Sequence, residues 1–114
     1  MDDSAREAKV AHNEYLLKRV NRRIDDLTEQ LIEEGLGPDV RVADFLCACG
    51  TPDCHETIRR LSLDEYERIR VQPHRFIVLP GHDHPDLERT VERHAGYWVV
   101  EKLPAHREAG TDRD

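Results

Sequence analysis

Through the first third of the chain apolar residues recur at alternating spacings of three and four. They are Val10, Leu17, Val20, Ile24, Leu27 and Leu31, with Asn13 on the same stripe. Ser4 followed by Glu7 reads as a capping box, and Gly35, Gly37 and Pro38 read as a stop, so the pattern predicts one long helix over residues 4–35. The stripe is narrow, closer to a coiled-coil seam than to the broad face of a globular helix. Two uses fit it equally: docking on the chain's own domain, or pairing with a protein partner or with the same helix of a second copy.

Beyond the Gly35–Asp39 linker the period changes. Val40, Val42 and Phe45 read as a short strand leading into the cysteines, and residues 56–61 read as a return strand, which puts the intervening loop at the tip of a hairpin. Ser62 and Glu65 form a second capping box with Leu61 and Tyr66 as its staple, predicting a short helix over residues 63–70 that Pro73 cannot extend. Residues 75–79 are apolar and β-branched enough for a strand, and they deliver the chain to Pro80-Gly81-His82. Residues 86–94 fit either a helix or the first arm of a hairpin turning at Ala95-Gly96, with the hairpin preferred because the strand at residues 97–102 needs a partner. The expected fold is α+β: a long N-terminal helix, then a small zinc-stabilised antiparallel sheet with one short helix over residues 40–104, then a disordered tail over residues 105–114.

Composition narrows what such a chain can be. Of 114 residues only 38% are apolar and 5% aromatic while 36% are charged, so the core is small and the fold is one that a metal or a partner would help to hold. The net charge of -7, from 24 acidic and 17 basic side chains, argues against nucleic acid as the main partner. Arg59, Arg60, Arg68, Arg70 and Arg75 cluster, but Glu56, Asp64, Glu65 and Glu67 are interleaved with them, which is the pattern of a solvated surface. The opening Met1-Asp2-Asp3-Ser4 is acidic and leads into no apolar run, so no signal peptide is expected. No run is long enough for a membrane span, and the expected location is cytoplasmic.

All three cysteines, Cys47, Cys49 and Cys54, fall within eight residues. An odd number in one loop is no secreted disulfide framework; in a reducing compartment it reads as metal ligands or reactive thiols. Zinc takes thiolate and imidazole in tetrahedral geometry, and Gly50 and Pro52 suit the turn that gathers three sulfurs. The fourth ligand is expected from His82, which follows Gly81 directly after a strand, with His84 or water as the alternatives and His55 disfavoured beside Cys54. Arg59, Arg60 or Arg75 are expected to offset the charge of the site. His12, His74, His94 and His106 read as surface residues.

These segments together resemble a family of small, uncharacterised actinobacterial proteins. The likeness rests on Asn13-Glu14-Tyr15 to Val20-Asn21-Arg22-Arg23-Ile24, on the Cys-x-Cys-Gly-x-Pro-x-Cys loop, on Leu61 to Glu67, on the Pro-Gly-His turn and on Tyr97 to Lys102. The resemblance implies that Cys47, Cys49, Cys54 and His82 are shared metal ligands, and it implies no activity. This chain has Ala48 where an acidic residue is common in the others. The expectation is a non-enzymatic Zn2+-binding interaction or regulatory module. The alternative is a thiol-based redox or zinc sensor whose metal release switches a protein contact. No metalloprotease helix, nucleophile elbow or phosphate loop is present to suggest an enzyme.

Overall fold

A computed structural model of the chain describes residues 3–108. Helix α1 spans Asp3–Glu33, and the rest is α+β: β1 (Val42–Leu46), β2 (Thr57–Ser62), α2 (Leu63–Arg70), β3 (Arg75–Val78), β4 (Glu88–Arg93) and β5 (Trp98–Lys102). The capping role expected of Ser4 falls on a side chain outside the described residues. At α2 the expected cap forms, with the Glu65 backbone N–H donating to Ser62 Oγ at 3.3 Å. Within the ambiguous stretch at residues 86–94, Glu88–Arg93 is strand and pairs with β5 as the arm of a hairpin.

Antiparallel strands form a β1–β2 pair and a three-stranded sheet in the order β3-β5-β4. The Ala48 backbone N–H donates to Ile77 O at 2.8 Å, so the chain leaving β1 runs beside β3 and joins the two sheets. Alternation along β3 and β5 sends Ile77 and Val99 to one side and Phe76, Val78 and Val100 to the other. The first side meets Phe45, Ile58, Leu61, Leu63, Tyr66 and Ile69 from the β1–β2 hairpin and α2. The second meets Tyr15 of α1 and the cysteine loop.

α1 docks through a face that apolar periodicity does not mark. Its buried positions are Val10, Ala11, Glu14, Tyr15, Lys18, Asn21 and Asp25, four of them charged or amide. These polar side chains make specific contacts. Asn21 Nδ2 donates to Leu46 O at 3.0 Å and its Oδ1 accepts from Leu46 N at 2.8 Å, satisfying both backbone groups at the end of β1. Lys18 Nζ donates to Gln72 O and Arg75 O. Arg70 pairs with Asp25 and Asp26. His74, expected on the surface, is half-buried instead and bonds the Tyr15 hydroxyl at 2.8 Å.

Meanwhile Leu16, Val20, Leu27 and Leu31 are 39 to 46% exposed on the opposite side of α1. Leu17 and Ile24, on the edge of that stripe, are half-buried against the core. The tail expected to be disordered from Ala105 begins with a 3-10 turn at Pro104–His106, and Arg107 Nε donates to Lys102 O. Residues 109–114 lie outside the described residues. No described helix is long and apolar enough to cross a membrane.

Candidate metal centre

The cysteine loop hangs from the β1–β2 hairpin, closed by Cys47 N–H donating to Glu56 O at 3.0 Å. A turn at residues 51–54, with Cys54 N–H donating to Thr51 O, brings the third sulfur back toward the first two. β3 ends at Val78, and Gly81, at φ +84°, turns the chain so that His82 faces the loop. Cys47, Cys49, Cys54 and His82 thereby converge, their ligand atoms all within 4.8 Å of one another. His82 Nδ1 lies 3.6 Å from Cys47 Sγ and 3.7 Å from Cys54 Sγ. This group could hold a metal ion.

Surrounding groups fix the site. Leu79 N–H donates to Cys47 Sγ at 3.2 Å, a backbone donor of the kind that supports bound thiolate. The other candidate fourth ligand plays a different part, since His84 Nε2 lies 2.8 Å from Cys49 O and 3.3 Å from Thr51 Oγ1, so its ring clamps the loop. His55 is exposed. Gly50 sits at φ +74°, and a Cβ there would lie 2.4 Å from Val10 O and 2.8 Å from Glu14 Cγ. Only glycine lets α1 lie this close, and Asn13 Nδ2 seals the approach by donating to Gly50 O at 3.1 Å. The arginines expected to offset the site are elsewhere: Arg75 pairs with Glu101, while Arg59 and Arg60 are exposed on β2.

Electrostatics divide the three thiols. Hydrogen bonding from Cys47 and Thr51 holds Cys49 down at about 3. Donation to Cys49, together with burial, pushes Cys47 up, and burial raises Cys54. Ionising a second thiol in this group sets like charges together, which a cation at the centre would compensate. Cys54 is half-buried and lines a cleft of about 250 Å³ between the loop and α1.

Directly beneath the loop lies a charged group that sequence reading misses. Lys102 Nζ on β5 donates to Glu14 of α1 and to Glu88 of β4, and all three side chains are fully buried. Glu88 also accepts from His84 N–H at 2.9 Å, linking this triad to the loop's clamp. Burial and the neighbouring Glu88 raise Glu14 to about 10, so at neutral pH it carries a proton. The polar run Asn13-Glu14 is plain in the sequence, but its partners lie at positions 50, 88 and 102.

A second acidic group, Asp25, Glu29 and Glu67, brings carboxylates equally close. Its charges are already engaged by arginine: Arg41 takes both oxygens of Glu29 at 2.6 Å, and Arg70 holds Asp25. Arg68 likewise pairs with Glu92, so three of the five clustered arginines are committed to carboxylates rather than forming a basic face. No family model, curated protein or solved structure matches the chain.

Proposed function

We propose that the protein is a non-enzymatic zinc module in which Cys47, Cys49, Cys54 and His82 hold Zn2+ as a structural centre and α1 offers a surface to a protein. The spacing of the four ligand atoms carries the reading. Zn–S bonds of about 2.3 Å and Zn–N bonds of about 2.0–2.1 Å give a tetrahedral S···N edge of about 3.5–3.6 Å. The two His82–cysteine distances of 3.6 and 3.7 Å fit that edge. Three sulfurs and one nitrogen fill a tetrahedron, leaving no position for a water to be activated, which is why the role is structural and not hydrolytic. The donor set also suits zinc over harder cations, which take oxygen. Reduced thiols of this kind belong in the cytoplasm.

The site stands where β1, β3 and the loop before β4 meet, so metal there would tie both sheets and the docking of α1 together. Native mass spectrometry with elemental analysis is expected to find one zinc per chain, and His82→Ala to lose it or bind it far more weakly. Chelation should abolish the cooperative thermal transition, because metal affinity in such a site is folding free energy, on the order of 10 kcal/mol. Freshly reduced wild type without metal would overturn the reading.

A redox role has one observation in its favour: Cys54 is half-buried and lines the cleft, giving an oxidant a route to one sulfur. Mild peroxide followed by reductant separates the two. A sensor would release and regain zinc reversibly, whereas a structural site would keep its metal.

A further inference from the structure

The solvent face of α1 carries an apolar stripe with an internal symmetry. Leu16 and Leu31 are equidistant from the midpoint between Arg23 and Ile24, and so are Val20 and Leu27. All four are about two-fifths exposed on the side of the helix away from the core. Such a palindromic stripe superposes on itself when a second helix runs the opposite way, with Leu16 against Leu31 and Val20 against Leu27. An interface formed by a two-fold axis must be self-complementary in this sense.

Charge selects the same arrangement. Before the midpoint the exposed flanks carry Arg19 and Arg23, with Arg22 beside them; after it they carry Glu33 and Asp26, the latter also held by Arg70 of its own chain. A parallel pair would set arginine against arginine and carboxylate against carboxylate. An antiparallel pair sets the basic half of each helix on the acidic half of the other, and the stripe's spacings of four, seven and four keep its members on one face for side-by-side helix packing.

We propose that the protein forms a two-fold homodimer through an antiparallel pairing of α1 with α1 of a second copy. This deepens the interaction half of the proposed function and does not depend on the metal. At one end of the stripe Leu16 and Leu17 border the cleft beside the cysteine loop, together with Asn13, Thr51, Pro52 and Cys54. The register brings Leu31 of the second copy to this cleft, extending the contact beyond the helices alone. That extension matters, because a stable interface buries about 800 Å² per partner and one stripe of four side chains is short of it.

Sedimentation velocity of the full chain across the micromolar to millimolar range tests association. A dimer is expected, and Leu27→Glu, present twice per dimer, is expected to weaken it by about 100-fold or more. The far-UV spectrum and the zinc content of the variant should stay those of wild type. A photo-crosslinking residue at position 31 tests the orientation: peptides containing Leu16 or Thr51–His55 of the other copy are expected. A wild type that stays monomeric overturns the proposal, as does a dimer indifferent to Leu27→Glu or a crosslink from position 31 to position 31. Should Leu27→Glu fail to fold, Leu16→Gln serves in its place, and the wild-type concentration series and crosslink decide without either. Loss of zinc with retention of the dimer would break the metal reading and leave this one standing.

Discussion

The two faces of α1 invert the usual division of labour. The face turned to the core carries Glu14, Lys18, Asn21 and Asp25, all buried, whereas Leu16, Val20, Leu27 and Leu31 look outward. Burying polar groups costs free energy that pairing offsets, and here the pairing is specific: Asn21 with one backbone unit, Lys18 with two carbonyls, Glu14 with Lys102, though Glu14 Oε2 and Asp25 Oδ1 are left without a hydrogen bond among the described residues. An apolar face would dock in many registers. A face of hydrogen bonds docks in one, and it leaves the leucines free to serve a different contact.

The largest effect expected from that contrast comes from Lys102. Lys102→Met removes the ammonium that both buried side chains, Glu14 and Glu88, bond, and is expected to cost about 3–5 kcal/mol in urea denaturation. A loss below about 1 kcal/mol would mean that the triad does not hold the helix. Asn21→Leu comes next: it adds apolar surface at a buried position yet orphans the Leu46 N–H and C=O, for an expected loss of about 2–3 kcal/mol. Stabilisation by this change would show that the docking face is ordinary hydrophobic packing.

The pH dependence sharpens the comparison further. Between the ordinary carboxylate range and about 10 the folded chain holds a proton on Glu14 that the unfolded chain has released. The folded state binds more protons across that window, so this group's contribution to stability falls as pH rises through it. Denaturant midpoints at stepped pH should show the decline, and Glu14→Gln, neutral throughout, should flatten it. The smallest effect is expected on the outer face. Leu16→Ser or Leu27→Ser, measured at dilutions where copies are separate, should change stability by no more than about 0.5 kcal/mol.

Most elements are legible in the sequence because their signals are local. Ser62 with Glu65 marks α2, the apolar run at residues 75–79 marks β3, and the close spacing of the cysteines makes them one site without any tertiary contact. His82 is legible too, because Gly81 marks the turn that presents it. The docking face of α1 is not. A buried glutamate and a solvated one look alike in sequence, and the lysine that distinguishes Glu14 sits 88 residues away. His84 is ambiguous for the same reason: chemistry permits both ligand and clamp, and only the position of Cys49 O decides between them. Gly50 reads as a turn residue, but the approach of the Val10 carbonyl that forbids any larger side chain is a tertiary fact.

That 88-residue separation sets an order of events during synthesis. α1 leaves the ribosome before the strands it docks on. Until β4 and β5 have emerged, Glu14 has neither Lys102 nor Glu88, and the docking face of α1 has no polar partners to meet.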